Sequence, residues 1–527
     1  MFADAPFADR PFAAALDVVG FSDGVAEATG TFKYILCAAT QSVATNADDS
    51  VMRSRPFRGT LRLPLNFEWS ILGSDIGTFT TGTGTTVLDN SDGFYDDLPS
   101  TFTVDGRPIE IKAWRKGDDF AAAFTVFKGV MASWFIDEVQ VAIDIRDFGY
   151  KLGVSAQPNL YGGTGGMDGG ADLAQKRKPL VFGFVEGWSA TLLDGAYLTY
   201  QVHDGRVHSI FPVYDMGAVL ALAADYPDYA SLQAASIPEG CYATCLALGL
   251  FRLNANPLGQ VTADVRGDMA GGVFVWTTAD IVRRWLTRVA DVRDPDDLYG
   301  PSFDSLNVNQ PAPVGYGVGP DDSHTIADVI ADLMHGIGGW GGFRKNGLFE
   351  VRRFAAPSAS AMMTLSTIDI FELKREAPPS GLMPPPFRQR VSYRRNWTVM
   401  SSFAGVVAAD RKAYLASPYL ISEASAVSIK ADHPFAQDPD VRECYFRDKA
   451  DSDAEAQRLL DLYRVERALY RITGPRKLLH QNLGDTVNVT FPRWDLSVGR
   501  NMRLVKITAN PQKQEGQVDN VEWVCYG

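Results

Sequence analysis

Apolar and polar residues alternate over four or five positions in several stretches of this chain, the period of a strand with one buried face. Val139-x-Val141-x-Ile143-x-Ile145 and Ile109-x-Ile111 show it plainly. Gly84-Thr85-Thr86-Val87-Leu88-Asp89 is a strand-former that ends in the turn Asn90-Ser91-Asp92-Gly93. An alternating segment at Thr101-Phe102-Thr103-Val104 follows, then Asp105-Gly106, then Ile109-x-Ile111. Asp-Gly between alternating runs predicts a hairpin, because glycine takes φ > 0 without a Cβ clash. Residues 124–131, broken at Lys128-Gly129, and residues 139–145 complete a predicted β-meander.

The period changes to helical in a few places. Residues 277–289 predict a helix with Thr277 as cap, Asp280 near its positive end, and Ile281, Trp285 and Val289 on one face. Residues 323–335 repeat the form, with Ser323 as cap, Ile326, Val329, Ile330 and Leu333 as the stripe, and Gly336 as the stop. A third helix is predicted over 453–470, opened by the capping box Ser452-x-x-Glu455. The Ala- and Leu-rich residues 218–235 predict a short helix. Strands are expected around 347–351, 486–491, 502–508 and 518–524.

These elements predict a mainly β, multi-domain chain with α+β insertions. The expected divisions are a lead-in segment over 1–50, a first β domain over 51–154, and a β-rich insertion over 155–265. An α/β module with two capped helices follows over 266–376, then a Pro-rich linker over 377–386 and a C-terminal β domain with one long helix over 387–527. The insertion opens on a loop with six glycines in nine residues: Gly162, Gly163, Gly165, Gly166, Gly169 and Gly170.

The order of the motifs resembles the baseplate hub, or tail-tip hub, proteins of tailed phages, especially siphophages and prophages of proteobacteria. Those chains share the Leu88-Asp89-Asn90-x-Asp92-Gly93-x-Tyr95-Asp96 turn, the Ile109-Glu110-Ile111 strand, and the Phe127-Lys128-Gly129-Val130 and Ile143-Asp144-Ile145-Arg146-Asp147 strands. Further matches are Gln157-Pro158-Asn159-Leu160-Tyr161-Gly162-Gly163, Lys178-Pro179-Leu180-Val181-Phe182-Gly183, Tyr200-Gln201-Val202-His203-Asp204-Gly205, Val261-Thr262-Ala263-Asp264-Val265-Arg266-Gly267 and Leu483-Gly484-Asp485-Thr486-Val487. The resemblance covers the chain from about Arg55 onward. It implies that the 51–154 and 387–527 parts are two small tube-type β-barrels. It implies a homotrimeric ring that closes the tail tube, joining a distal tail or tube protein to tip or fibre proteins, with the tape measure protein a further candidate neighbour. Genome DNA would pass through without tight binding. The expected location is the virion's tail tip, after synthesis in a host cytoplasm. Two alternatives stand beside it: a host-surface glycan-binding tail protein and a tail-associated cell-wall hydrolase.

Composition narrows the choice. The 527 residues carry a net charge of −13, which disfavours phosphate-backbone binding. No run approaches the ~20 apolar residues of a membrane span. The first twenty residues hold Asp4, Asp9, Arg10 and Asp17 and do not read as a signal peptide. Five scattered cysteines argue against a disulfide framework, and Cys241 and Cys245 read as buried thiols. Ten Trp and 19 Tyr could stack on sugars but are spread along the chain.

No catalytic, cofactor-binding or metal residue is assigned. Asp89, Asp92, Asp96 and Asp97 lack the spacing of a calcium loop and read as turn residues. His203, Asp204 and His208 flank an Asp-Gly turn and read as turn or surface groups, and His324 and His335 do not share a helix face. The glycine loop has no Gly-Lys-Ser/Thr and opens no helix, so it is not a phosphate loop. It reads as a candidate assembly loop, mobile until a partner orders it. Lys176-Arg177-Lys178 beside it reads as a solvated flank or a contact to an acidic partner.

Overall fold

The computed structural model describes residues 12–20, 32–73, 82–114, 118–379, 381, 383–509 and 520–527. Residues 1–11 and 21–31 of the expected lead-in segment, Ser380 and Leu382 of the Pro-rich linker, and residues 518–519 of the last expected strand lie outside the described residues. The chain is mainly β, with several sheets and a few helices packed on them.

The largest sheet runs through both ends of the chain. Its order is Phe32–Ala39, Phe12–Gly20, Pro108–Ala113, Phe124–Ile136, Gln140–Arg146, Thr83–Asp89, Leu61–Ser70, Arg500–Ala509, Val521–Tyr526, Leu469–Gly474 and Glu372–Glu376. Leu61–Ser70 pairs antiparallel with Arg500–Ala509, with Trp69 opposite Ile507 and Phe67 opposite Ala509. A Lys506–Glu68 ion pair at 2.9 Å spans the seam. The two expected β parts therefore share one sheet and one continuous core, in which Phe67, Trp69 and Phe127 join Ile507, Trp523 and Leu504. Phe12–Gly20, within the expected lead-in, lies between two strands, with Leu16 paired to both Leu36 and Ile109.

Asp105-Gly106 does not make the expected hairpin. Gly106 has φ +71° as the turn requires. Yet Phe102–Thr103 and Pro108–Ala113 both pair antiparallel with the same neighbour, Phe12–Gly20. The Asp-Gly pair thus loops residues out of one strand line. Gly106 N donates to Met131 O and Met131 N to Arg107 O, at 2.9 and 2.8 Å, which fixes the excursion to a third strand. That strand, Phe124–Ile136, is unbroken at Gly129, where a Cβ would meet Arg146 O at 2.2 Å. Close approach of the neighbouring strand, not a turn, explains this glycine.

The second sheet, of nine strands, builds the insertion from Leu180–Ser189 to Val261–Asp268 and takes Gly315–Val318 at its edge. The expected helix over 218–235 is instead the strand Ala218–Asp225 followed by the helix Tyr229–Ala234. The reason is a tight turn: Met216 and Gly217 have φ +48° and +82°, and Asp215 pairs with Ala218. Two positive φ values match the right-handed twist of a hairpin, so the chain folds back as a strand despite its alanines.

The helices pack on strands of the sheets and on one another. Thr278–Val289 is capped as expected, with Asp280 N donating to Thr277 Oγ1 at 3.2 Å. Ile326–Gly336 starts at Thr325, not Ser323, because Thr325 and Asp328 form a reciprocal capping box. The helix Gly300–Asn309 was not foreseen, since only Ser302, Phe303 and Leu306 of it are buried. The last helix, Lys449–Tyr463, places Ser452 and Glu455 inside it rather than at a cap. Ser452 Oγ donates to Val391 O at 3.2 Å, and Tyr470 belongs to the strand Leu469–Gly474.

Candidate functional site: the glycine loop and the buried charges around it

The loop over 162–170 is closed on Asp168. Gly162 N donates to its Oδ1 at 3.0 Å and Thr164 Oγ1 to its Oδ2 at 2.9 Å, while Gly163 N donates to its carbonyl at 3.0 Å. The Gly162 and Thr164 hydrogen bonds hold the Asp168 carboxyl below its ordinary value. Gly163 has φ +76°, and a Cβ there would meet Ala174 Cβ at 2.6 Å, so this glycine is demanded twice over. Within one chain the loop already has these anchors. Met167 stands exposed at its tip.

Beneath the loop, Tyr161 is fully buried in a small core with Leu173, Leu232 and Leu250. Its hydroxyl donates to Gln201 Oε1 at 2.5 Å, and Gln201 Nε2 donates to His203 O at 3.2 Å. The basic flank is held as well. Lys176 pairs with Asp321 at 3.1 Å, Arg177 donates to Gln157 O at 3.0 Å, and Lys178 lies over the Tyr161 ring.

His203 is no surface residue. It is fully buried, and Val181 N–H donates to its Nδ1 at 2.9 Å, so Nε2 carries the proton. Nε2 faces Asp268 Oδ1 at 3.4 Å. Burial, helped by the Arg288 charge, keeps the imidazole neutral despite Asp268. Asp268 also accepts from Arg284 Nη1 at 2.6 Å and from Arg288. Burial pushes its carboxyl up, but the His203 hydrogen bond and the arginine charges outweigh that and leave it lowered. A sealed His–Asp pair with both ring nitrogens engaged has no room to pass a proton to a substrate. Asp204 and His208 do not join it. Asp204 accepts from Asn159 Nδ2 at 2.7 Å, and His208 packs on Phe274. Sequence reasoning overlooked Asp268, although it directly follows the Val261–Gly267 motif.

The acidic turn resolves into a framework built on Asn90, which is fully buried. Asn90 donates to Asp96 Oδ1 and Asp137 O, both at 2.7 Å, and accepts from Tyr95 N at 3.0 Å. Asp89 pairs with Arg62 at 2.8 Å and Asp92 with Arg58. No group of three or more His, Cys, Asp and Glu able to hold a metal occurs among the described residues. Cys241 and Cys245 end one strand, with Cys245 buried and Cys241 half-buried, both as free thiols.

Solved structures similar to this chain are tail proteins and a secretion component. A tail protein from Neisseria meningitidis MC58 has a TM-score of 0.40 at 9% identity, with 97% of this chain and 96% of that chain covered. The prophage MuSo2 43 kDa tail protein from Shewanella oneidensis gives 0.37 at 8%, with 97% and 96% covered. An Escherichia coli component of the type VI secretion system, itself described as structurally similar to bacteriophage T4 tail proteins, gives 0.34 at 10%, with 88% and 73% covered. Likenesses at these scores carry no weight by themselves. No family model and no curated protein matches the chain.

Among the described residues, no helix is long and apolar enough to cross a membrane. What the geometry offers is surface and frame: a loop on a buried anchor, and a sheet whose strand order ends at Phe32–Ala39, partly covered by Arg58, and at Glu372–Glu376. At one end Glu372–Glu376 closes the strand order, and Ile368 and Phe371 stand exposed in the segment that leads into it.

Proposed function

We propose that this chain is a structural hub protein of a phage tail tip, acting by assembly and forming a ring of three copies. The observation that carries the reading is the shared sheet. The N-terminal and C-terminal β parts meet at Leu61–Ser70 and Arg500–Ala509, and the strand order ends at Phe32–Ala39, whose outer side is partly taken by Arg58, and at Glu372–Glu376. Edge strands of this kind are satisfied when copies close into a ring. The exposed Ile368 and Phe371 leading into the second edge suit a contact with a second copy. The ordered hub-like motifs of the sequence support the same role, with the 162–170 loop as a contact to a neighbour.

Imaging of particles carrying a tag on this chain tests the proposal. The expected result is three tags around the tail axis at the tip. Six copies, or a location away from the tip, overturns the ring. Clearing of peptidoglycan by purified protein in a zymogram would replace the structural reading with the hydrolase alternative.

A further inference from the structure

We propose that the cavity between the Gly300–Asn309 helix, the Phe349–Arg353 strand and the Lys449–Tyr463 helix binds a small oxyanion, a phosphate or a di- or tricarboxylate. The cavity is about 500 Å³, and Arg352, Arg353, Arg458 and Arg503 line it while no carboxylate does. The carboxylates lie behind the arginines and are shared. Glu455 serves both Arg353 and Arg458, and Glu350 serves both Arg344 and Arg352, with Asp485 also on Arg352. Arg503 spends its hydrogen bonds on carbonyls: Ala355, Ala356 and Gly484. Five guanidinium groups thus meet three carboxylates.

Burial is the largest influence on Arg352, Arg353, Arg458 and Arg503, and at Arg352 the Glu350 and Asp485 charges outweigh it. Burial and the Arg458 charge bring Arg353 down to about 9, burial brings Arg458 down to about 10, and burial with the Arg352 charge lowers Arg503. Each would regain a favourable field from an added anion. Guanidinium forks match phosphate and carboxylate oxygens in pairs, and anchoring by carbonyls and carboxylates holds them in place beforehand. The side chains of Arg352, Arg353 and Arg458 are 25%, 17% and 24% exposed, so they reach the cavity without lying free on the surface. The chain as a whole is acidic, so bulk charge would repel an anion and binding must come from this site. The inference stands independently of the tail-hub reading.

Calorimetric titration of the full chain with inorganic phosphate and with citrate, at ionic strength fixed by sodium chloride, tests it. Saturable one-site binding of at least one anion is expected, and the tighter one names the chemistry. Arg503→Met should weaken it by roughly tenfold or more. Because Arg503 also ties backbone carbonyls, Ser305→Glu provides a second variant. Ser305 lines the same cavity on an exposed helix face, and a tethered carboxylate there should compete to a similar extent. Absence of saturable binding by either anion overturns the site. So does unchanged affinity in a folded Ser305→Glu protein, or sodium chloride alone reproducing the heats.

Discussion

Asp268 and Glu455 are both buried carboxylates, and each is gripped by two arginines that approach from a helix or a neighbouring strand. Around Asp268 the third partner is the neutral His203, packed edge-on against Phe182, and the arginines turn outward to the carbonyls of Asp204, Ala270 and Val273. Around Glu455 the next groups are further arginines, Arg352 and Arg503, and an open cavity. The same pairing therefore makes a closed strut in one place and a cationic wall in the other. The difference lies in what surrounds the pair, and the surroundings come from distant parts of the chain. Asp147 supplies a third case. It is buried and, among the described residues, accepts only backbone N–H groups, from Gly82 at 3.0 Å and Gly149 at 2.9 Å. Burial pushes its carboxyl up to about 6. Counter-charge, rather than burial alone, decides whether a buried carboxylate keeps its charge.

The largest effect should come from removing either gripped carboxylate. Asp268→Asn and Glu455→Gln each leave two half-buried guanidiniums short of an anion, at a cost of about 3 kcal/mol, read as a lower denaturation midpoint. The two should then separate. Glu455→Gln should bind phosphate or citrate more tightly than the parent protein, while Asp268→Asn should gain no such binding. Equal behaviour in the titration would erase the distinction between strut and wall.

The pH dependence should have opposite signs at Asp147 and Asp268. The folded value of Asp147 lies above the unfolded 3.8, so the native state keeps a proton that the unfolded chain has lost between these values. Its stabilisation is complete below about pH 4 and lost as pH rises through about 6, roughly 3 kcal/mol for a shift of about two units. Asp268 is lowered, so its stabilisation is present at neutral pH and lost as pH falls through its folded value. Denaturation midpoints from pH 4 to 8 should flatten over the 4–6 window in Asp147→Asn. If Asp147→Asn leaves that slope unchanged, another group owns it.

A smaller effect separates the helices that carry the arginines. Thr277 caps the helix bearing Arg284 and Arg288, whereas the helix bearing Glu455 and Arg458 has no side-chain cap at Asp448. Thr277→Ala should cost about 1 kcal/mol and expose the Asp268 cluster to faster amide exchange. Asp448→Ala should cost less. A reversed order would mean that tertiary packing, not the cap, holds both first turns.

Much of the local structure follows from neighbours in sequence. The Thr277 cap and the Ile281/Trp285 face need only a 3.6-residue period and a hydroxyl three positions before an amide. The alternation at Val141, Ile143 and Ile145 likewise places all three in the core. The turn at Asn90 to Gly93 was legible for the same reason, although its buried asparagine was not, because Asp137 comes from the turn between Phe124–Ile136 and Gln140–Arg146. Asp105-Gly106 marked a true positive-φ turn but not the pairing on either side of it. A turn fixes local geometry, whereas the partner strand, Phe12–Gly20, is chosen by contacts some ninety residues away in sequence. Glu455 shows the limit most clearly. Ser452-x-x-Glu455 satisfies the spacing of a capping box, but half-buried guanidiniums from residue 353 and residue 458 claim the buried carboxylate instead. Sequence spacing sets which groups can meet along one helix. Only the fold decides which charges arrive from elsewhere, and at low dielectric those charges dominate.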